Sequence, residues 1–236
     1  MGEPGPLIGT GRAADVYDLG NGRVLRRYRV DPPAGTAERE AVVMEHVRAH
    51  GYPVPEVFDA SGADLVMERL QGTTMLDDLG ARPWRMRHHC DTWIDLHRRL
   101  REMPVGDLGR RGFPTRFGPP HAVLHLDFHP DNIMLTADGP MVFDWPNAAL
   151  GPPEGDVAMA WLIVATSTIE ESWWLRAIAG VLRRRFVDRF VDGCGRAEAE
   201  ALLAEVAAHR LEDRNVRPEE ADRIRSLVSN LSPSEC

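Results

Sequence analysis

The segment His125-Leu126-Asp127-Phe128-His129-Pro130-Asp131-Asn132-Ile133-Met134-Leu135, followed after a short gap by Met141-Val142-Phe143-Asp144-Trp145, concentrates the reactive residue types of the chain. Asp127, Asn132 and Asp144 offer hard oxygen atoms, the ligands that suit Mg²⁺, an ion commonly held by one or two carboxylates together with the phosphates of a substrate. The same stretch has a second reading. His125, Asp127 and His129 alternate like ligands on one strand face, with Asp144 as a further ligand, which would describe a metal-dependent hydrolase whose imidazoles must be neutral. Pro130 and Asn132 read as loop formers rather than ligands, and His125 and His129 can equally brace the loop through backbone hydrogen bonds.

These residues act only if short elements hold them. Ala122-Val123-Leu124 and Met141-Val142-Phe143 read as apolar strands bracketing the polar loop, and the second ends on Asp144, so the pattern predicts that Asp127, Asn132 and Asp144 converge. Upstream, Leu7-Ile8 and Val16-Tyr17 flank a glycine-containing turn, and Asn21-Gly22 is a hairpin signal ahead of Val24-Leu25-Arg26-Arg27-Tyr28. Thr36 is placed to cap a helix running to about His50, with Val43, Met44 and Val47 on its apolar face. Val57-Phe58 and Leu65-Val66-Met67 read as another strand pair. Beyond Glu68-Arg69-Leu70-Gln71-Gly72 the pattern turns helical, with Met86 to Met103 ended by Pro104 and later helices near 156–168, 170–191, 196–212 and 218–230. The expected class is α+β, with a β-rich unit carrying one helix over 1–69 and a larger, mainly helical unit over 70–236.

Composition removes several chemistries. All 28 basic residues are arginine, so a Schiff-base or nucleophilic lysine is impossible, as is a Walker A loop. Cys90, Cys194 and Cys236 form no C-x-x-C pair, which supports neither a disulfide framework nor a zinc ribbon and suggests a reducing, cytoplasmic setting. The N-terminal M-G-E-P-G-P-L lacks the features of a signal peptide. The longest apolar stretch, Val157 to Thr166, is well short of the roughly 20 residues that span a bilayer, so no membrane partner is expected. Residues 1–116 hold 17 arginines against 17 acidic residues, whereas 117–236 hold 11 against 19, so the later half carries the whole net charge of -8. That balance disfavours nucleic acid and would suit a cationic ligand.

On these residues the chain resembles the aminoglycoside phosphotransferase family, small-molecule relatives of the protein kinases. H-L-D-F-H-P-D-N-I-M-L followed by F-D-W is similar to the family's H-G-D-x-H-x-x-N loop and its later I-D-W or F-D-W. His125, Asp127, His129, Asn132, Asp144 and Trp145 match in order and spacing, while Leu126 stands in place of a glycine. Gly9-Thr10-Gly11-Arg12-Ala13-Ala14-Asp15-Val16 resembles a kinase glycine loop, G-x-G-x-x-G-x-V, with Ala14 replacing the third glycine. Its backbone amides from Gly11 to Ala14 would cradle nucleotide phosphates. The strand containing Val24 and Arg26 sits where such folds carry a phosphate-gripping lysine, and strand alternation puts Val24, Arg26 and Tyr28 on one face. Glu40 falls on the apolar face of its helix, where a carboxylate without a partner is costly, and an Arg26–Glu40 ion pair accounts for both residues.

The resemblance implies a protein-kinase-like two-lobe fold binding ATP or GTP with Mg²⁺. It assigns Asp127 as catalytic base and Asn132 and Asp144 as metal ligands. Gly9, Gly11, Arg12, Ala13, Ala14, Val16, Val24, Arg26 and Glu40 form the phosphate side, and Met67, Glu68 and Leu70 the hinge against adenine. Asp156 would brace the catalytic loop or cap the next helix. The implied activity is O-phosphorylation of a small hydroxylated substrate, with an aminoglycoside and hence antibiotic resistance as one expectation, and Glu170, Glu171, Asp188 and Asp192 as conceivable contacts to a cation. The alternative is a nucleotide-binding, pseudokinase-like module of little activity, because a planar guanidinium does not reproduce a point-charge ammonium.

Overall fold

The computed structural model describes residues 4–11, 13–29, 35–167, 173–213 and 216–231, without the side chains of 173–179. In chain order the first elements are β1 (Leu7–Thr10), β2 (Ala14–Gly20), β3 (Arg23–Tyr28), α1 (Thr36–Ala49), β4 (Val57–Ser61), β5 (Asp64–Glu68), β6 (Gly72–Thr74) and α2 (Met75–Ala81). They are followed by α3 (Met86–Arg101), β7 (Ala122–Leu124), β8 (Ile133–Thr136), β9 (Gly139–Val142), β10 (Ala149–Gly151), α4 (Pro153–Thr166), α5 (Trp173–Cys194), α6 (Arg196–Leu211) and α7 (Pro218–Leu231). Two compact units result, one joining Met1–Asp78 to Pro130–Ala148 and the other joining Leu79–His129 to Ala149–Cys236.

The first unit grows from the Asn21-Gly22 turn. Both residues take positive φ, 51° and 73°, the primed-turn geometry whose twist matches paired strands, and β2 and β3 close on it. Antiparallel pairing continues to a five-stranded sheet of order β1-β2-β3-β5-β4. Helix α1 packs on β4 and β5 through Ala37, Ala41, Val43, Met44 and Val47, with Glu40 buried in the same face. Thr36 does not cap this helix. It lies in the first turn and accepts a hydrogen bond from Arg39 Nη2 at 3.2 Å, while Gly35, with φ 77°, takes the cap position.

A second, three-stranded sheet of order β6-β8-β9 belongs to the same unit. The Pro130–Ala148 segment joins it because β8 pairs with β6 through Gly72–Thr136, Thr73–Leu135 and Thr74–Met134, and because the Val142 amide donates to Pro53 O at 2.8 Å. The strands expected to bracket the polar loop therefore lie in different sheets. β9 ends ahead of Asp144 in this unit, whereas β7 pairs with β10 in the other.

The helical unit is organised around Trp93 of α3, which is fully buried, stacks on Phe186 and Phe190 with centroids 5.4 and 3.6 Å away, and donates Nε1–H to Phe128 O at 3.2 Å. Helix α4 starts on Pro153, whose missing amide costs nothing at a first helical position, and its residues from Val157 to Leu162 are all buried. That continuous burial is why it reads as an apolar run and not as a stripe. Among the described residues, no helix is long and apolar enough to cross a membrane.

Candidate active site

Strand β3 and helix α1 place a buried charge cluster inside the sheet unit. Arg26 Nη1 contacts Glu40 Oε1 and Arg26 Nη2 contacts Asp144 Oδ1, both at 2.5 Å. Glu40, 2% exposed, takes two further donors: the Trp145 amide reaches Oε1 at 3.0 Å and the Tyr28 hydroxyl reaches Oε2 at 2.5 Å. Burial drives the Glu40 carboxyl pKa upward, opposed chiefly by Arg26. Because every partner it has here is a donor, the carboxylate is the form this pocket is built to hold. Burial alone would lower the Arg26 pKa, but Glu40 and then Asp144 hold it above its ordinary value. Tyr28 is pushed up by burial and by Glu40, so its hydroxyl stays a donor.

One arginine among two carboxylates leaves the cluster with one net negative charge, and Asp144 is the member that reaches solvent, with its side chain 33% exposed. Its backbone, at φ 69°, lies in the left-handed region that aspartate tolerates better than most residues. The Phe143 amide donates to Asn132 O at 3.1 Å, tying the residue before Asp144 to Asn132. Oxygen donors of this kind with residual negative charge fit Mg²⁺. Among the described residues no group of three or more His, Cys, Asp or Glu side chains could hold a metal.

The Gly9–Ala14 turn folds back on itself. The Gly11 amide donates to Ala14 O at 2.8 Å, and Gly11 O accepts from the Arg29 guanidinium. The amide expected to face phosphate at Gly11 is thus engaged within the turn. At the other end of the sheet, the Glu68 amide donates to Glu56 O and the Arg69 amide to Gly22 O, both at 2.8 Å. These bonds hold Glu68 and Arg69 at the end of β5, where Met67 pairs with Val24 and Leu70 follows the strand.

In the helical unit Asp127 follows a left-handed residue. Leu126 has φ 60°, and it is held there because Asp156 Oδ1 accepts the Leu126 amide at 2.7 Å and the His125 amide at 3.1 Å. Asp127 is oriented next: its amide donates to His125 Nδ1 at 3.2 Å, and His129 Nε2 lies 3.6 Å from Asp127 Oδ1. His125 is fully buried and stacks on Phe128, so it braces the loop. Behind it lies a buried pair, His97 Nδ1 at 3.9 Å from Asp156 Oδ2, and among the described residues neither Asp156 Oδ2 nor His97 Nε2 has a hydrogen-bond partner. Burial lifts the Asp156 carboxyl to about 7, opposed by the two amides and reinforced by Asp127. Burial, and then His125, depresses His97 to about 3.

A family model for the phosphotransferase enzyme family matches residues 5–120 and 114–201. The chain belongs to the phosphotransferase enzyme family. No curated protein matches it by sequence. Solved structures share its fold. ADP-bound aminoglycoside phosphotransferase APH(2'')-Ib matches with TM-score 0.59 and 11% identity over 96% of this chain and 93% of its own. A choline/ethanolamine kinase family protein from Mesorhizobium loti matches with TM-score 0.54 and 18% identity over 98% and 89%. APH(2'')-IIa, solved with streptomycin and ATP, matches with TM-score 0.59 and 11% identity over 95% and 90%. At these identities the likeness is one of fold, and it bears out the protein-kinase-like α+β expectation.

Within this phosphotransferase fold, Gly9, Gly11, Ala13, Ala14, Val16, Val24, Arg26, Glu40, Met67, Glu68, Leu70, Asn132 and Asp144 fall in one compact unit and Asp127 in the other. Arg12 lies outside the described residues, as do Glu170 and Glu171. Asp188 and Asp192 lie on α5 and pair with Arg196 at 3.0 and 2.6 Å. Sequence reasoning missed Tyr28 and the Trp145 amide as partners of Glu40, and His97 as neighbour of Asp156. Alternation along β3 carried the signal for Tyr28. The Trp145 amide, a backbone group, carried none.

Proposed function

We propose that this phosphotransferase-family chain is an ATP-dependent O-phosphotransferase acting on a small hydroxylated molecule. The observation that carries the reading is the Arg26 fork, which holds the glutamate of α1 and the aspartate that follows β9 at 2.5 Å each and leaves net negative charge on the exposed one. Arg26, steadied by Glu40, would grip the α- and β-phosphates. Asn132 and Asp144 would hold Mg²⁺, which when bound neutralises the phosphate oxygens. Asp127 would orient the acceptor hydroxyl and take its proton as the oxygen attacks the γ-phosphorus, while the bond from the γ-phosphorus to its bridging oxygen breaks and ADP leaves. Such catalysis is mostly positioning and charge stabilisation.

The acceptor is proposed as an aminoglycoside, amino alcohol or sugar, in line with the small-molecule kinases that share the fold. A second reading, a nucleotide-binding module of little activity, is favoured by one contact: Arg26 Nη2 rests on Asp144 Oδ1, an atom the metal would use. A panel of such acceptors with Mg·ATP, followed by ³¹P NMR of the products, tests the first reading. Asp127→Asn should lower transfer by about 10²–10⁴-fold with little effect on nucleotide affinity. Full transfer by that variant would sink the assignment of Asp127, and binding of Mg·ATP with no transfer to any acceptor would favour the module.

A further inference from the structure

An arginine does not enter a lysine site unaided. An ammonium is a point charge that satisfies a carboxylate from any direction, whereas a guanidinium is a flat fork whose two outer nitrogens must be aimed. Here they are aimed at two acids, Nη1 at Glu40 and Nη2 at Asp144. The Glu40 carboxylate must therefore be held in one plane. Its Oε1 is shared between Arg26 and the Trp145 amide, and its Oε2, deep in the same pocket, is met by the Tyr28 hydroxyl at 2.5 Å. Tyr28 stands two residues after Arg26 on β3, on the same face, and the Arg26 guanidinium carbon sits 4.9 Å from the centre of its ring.

We propose that Tyr28 is the positioning residue that fits this site to arginine: its hydroxyl fixes the second oxygen of Glu40 and its ring faces the guanidinium, so that the fork addresses Glu40 with one nitrogen and Asp144 with the other. This rests on the nucleotide-binding reading of the Arg26 cluster. With the hydroxyl gone, Glu40 can rotate, Oε2 is left buried without a donor, and Arg26 loses the orientation that serves Asp144 and the phosphates.

The test is a double-variant cycle on the full chain, read by titrating Mg·ATP against the unfolding temperature and by KM and kcat in the transfer assay. Tyr28→Phe in the native background should weaken Mg·ATP binding about tenfold, the effect of losing a hydrogen bond to a buried charge, with KM rising and kcat changing little. In the Arg26→Lys background the same substitution should change binding less than twofold, because an ammonium does not need the carboxylate held in one plane. An equal loss in both backgrounds would reduce Tyr28 to general packing and overturn the proposal, as would no loss in the native background. Asp144→Asn separates the two levels. If it leaves Mg·ATP binding unchanged, the nucleotide reading falls and Tyr28 with it; if it weakens binding while Tyr28→Phe does not, only the role of Tyr28 falls.

Discussion

Replacing Asp156 by asparagine keeps an oxygen to accept the Leu126 and His125 amides while removing a buried titrating group. Burial holds the Asp156 carboxyl at about 7 against an ordinary 3.8, so between these values the folded chain binds a proton there that the unfolded chain does not. The resulting stabilisation is complete below the unfolded pKa and is lost as pH rises through about 7, at roughly 1.4 kcal/mol per pH unit. His97 runs the other way. Its folded value of about 3 lies below an ordinary 6.5, so its contribution is complete above 6.5 and is lost as pH falls towards 3. From about pH 4 to 6.5 the two slopes oppose and cancel in the native chain. Asp156→Asn leaves the His97 slope alone. Relative to the native chain, the variant should gain stability with rising pH, on the order of 3–4 kcal/mol in all between pH 4 and 7, or roughly 6–16 °C in Tm. Urea unfolding at half-unit pH steps measures this, and the difference between the two chains removes every other titrating group. Parallel curves, or a difference that shrinks as pH rises, would refute the reasoning.

Arg26→Ala strands Glu40 in a buried site without its counter-charge, so stability should fall by ~3–5 kcal/mol, with Arg26→Lys milder; thermal melts check this, and a loss below ~1 kcal/mol would mean that the pair contributes little. Leu126→Gly sets two effects against each other. Relief of the φ 60° backbone is worth about 1–2 kcal/mol, but emptying the space of a side chain that is 4% exposed costs about 3–5, and glycine adds its own entropic cost. The net should be destabilising by ~2–4 kcal/mol by chemical denaturation, although glycine is the residue the family motif expects. A stabilised variant would show that strain outweighs packing at this position. Gly155→Ala places a methyl against the ring of Phe117, 2.6 Å from Cδ2, and should lower Tm by several degrees unless that ring can turn aside.

Much of the sheet unit was legible because its signals are local. Asn21-Gly22 announced a hairpin, and alternation along β3 put Arg26 and Tyr28 on one face. A glutamate on the apolar stripe of α1 demanded a cation, and Arg26 is that cation. The boundary expected near residue 69 missed that Pro130–Ala148 belongs with the N-terminal residues, since the tie is a three-residue strand, Gly72–Thr74, pairing some sixty positions downstream. Strands that short carry no periodicity to read. Asp156 was expected to brace the catalytic loop or cap a helix; it braces, through two backbone amides, and its neighbour His97 shares the buried stripe of α3 with Trp93 and Leu100. The sequence placed His97 on a helix but did not show which carboxylate it meets, because that pairing joins α3 to α4 across the fold.

The most direct measurement is calorimetric titration of ATP into the native chain and into Asp144→Asn, each with and without Mg²⁺. If Arg26, Glu40 and Asp144 form a nucleotide and metal site, the native chain binds ATP in a magnesium-dependent manner and Asp144→Asn loses most of that dependence. ATP binding of equal strength with and without the ion in both chains, or no binding in either, would contradict it.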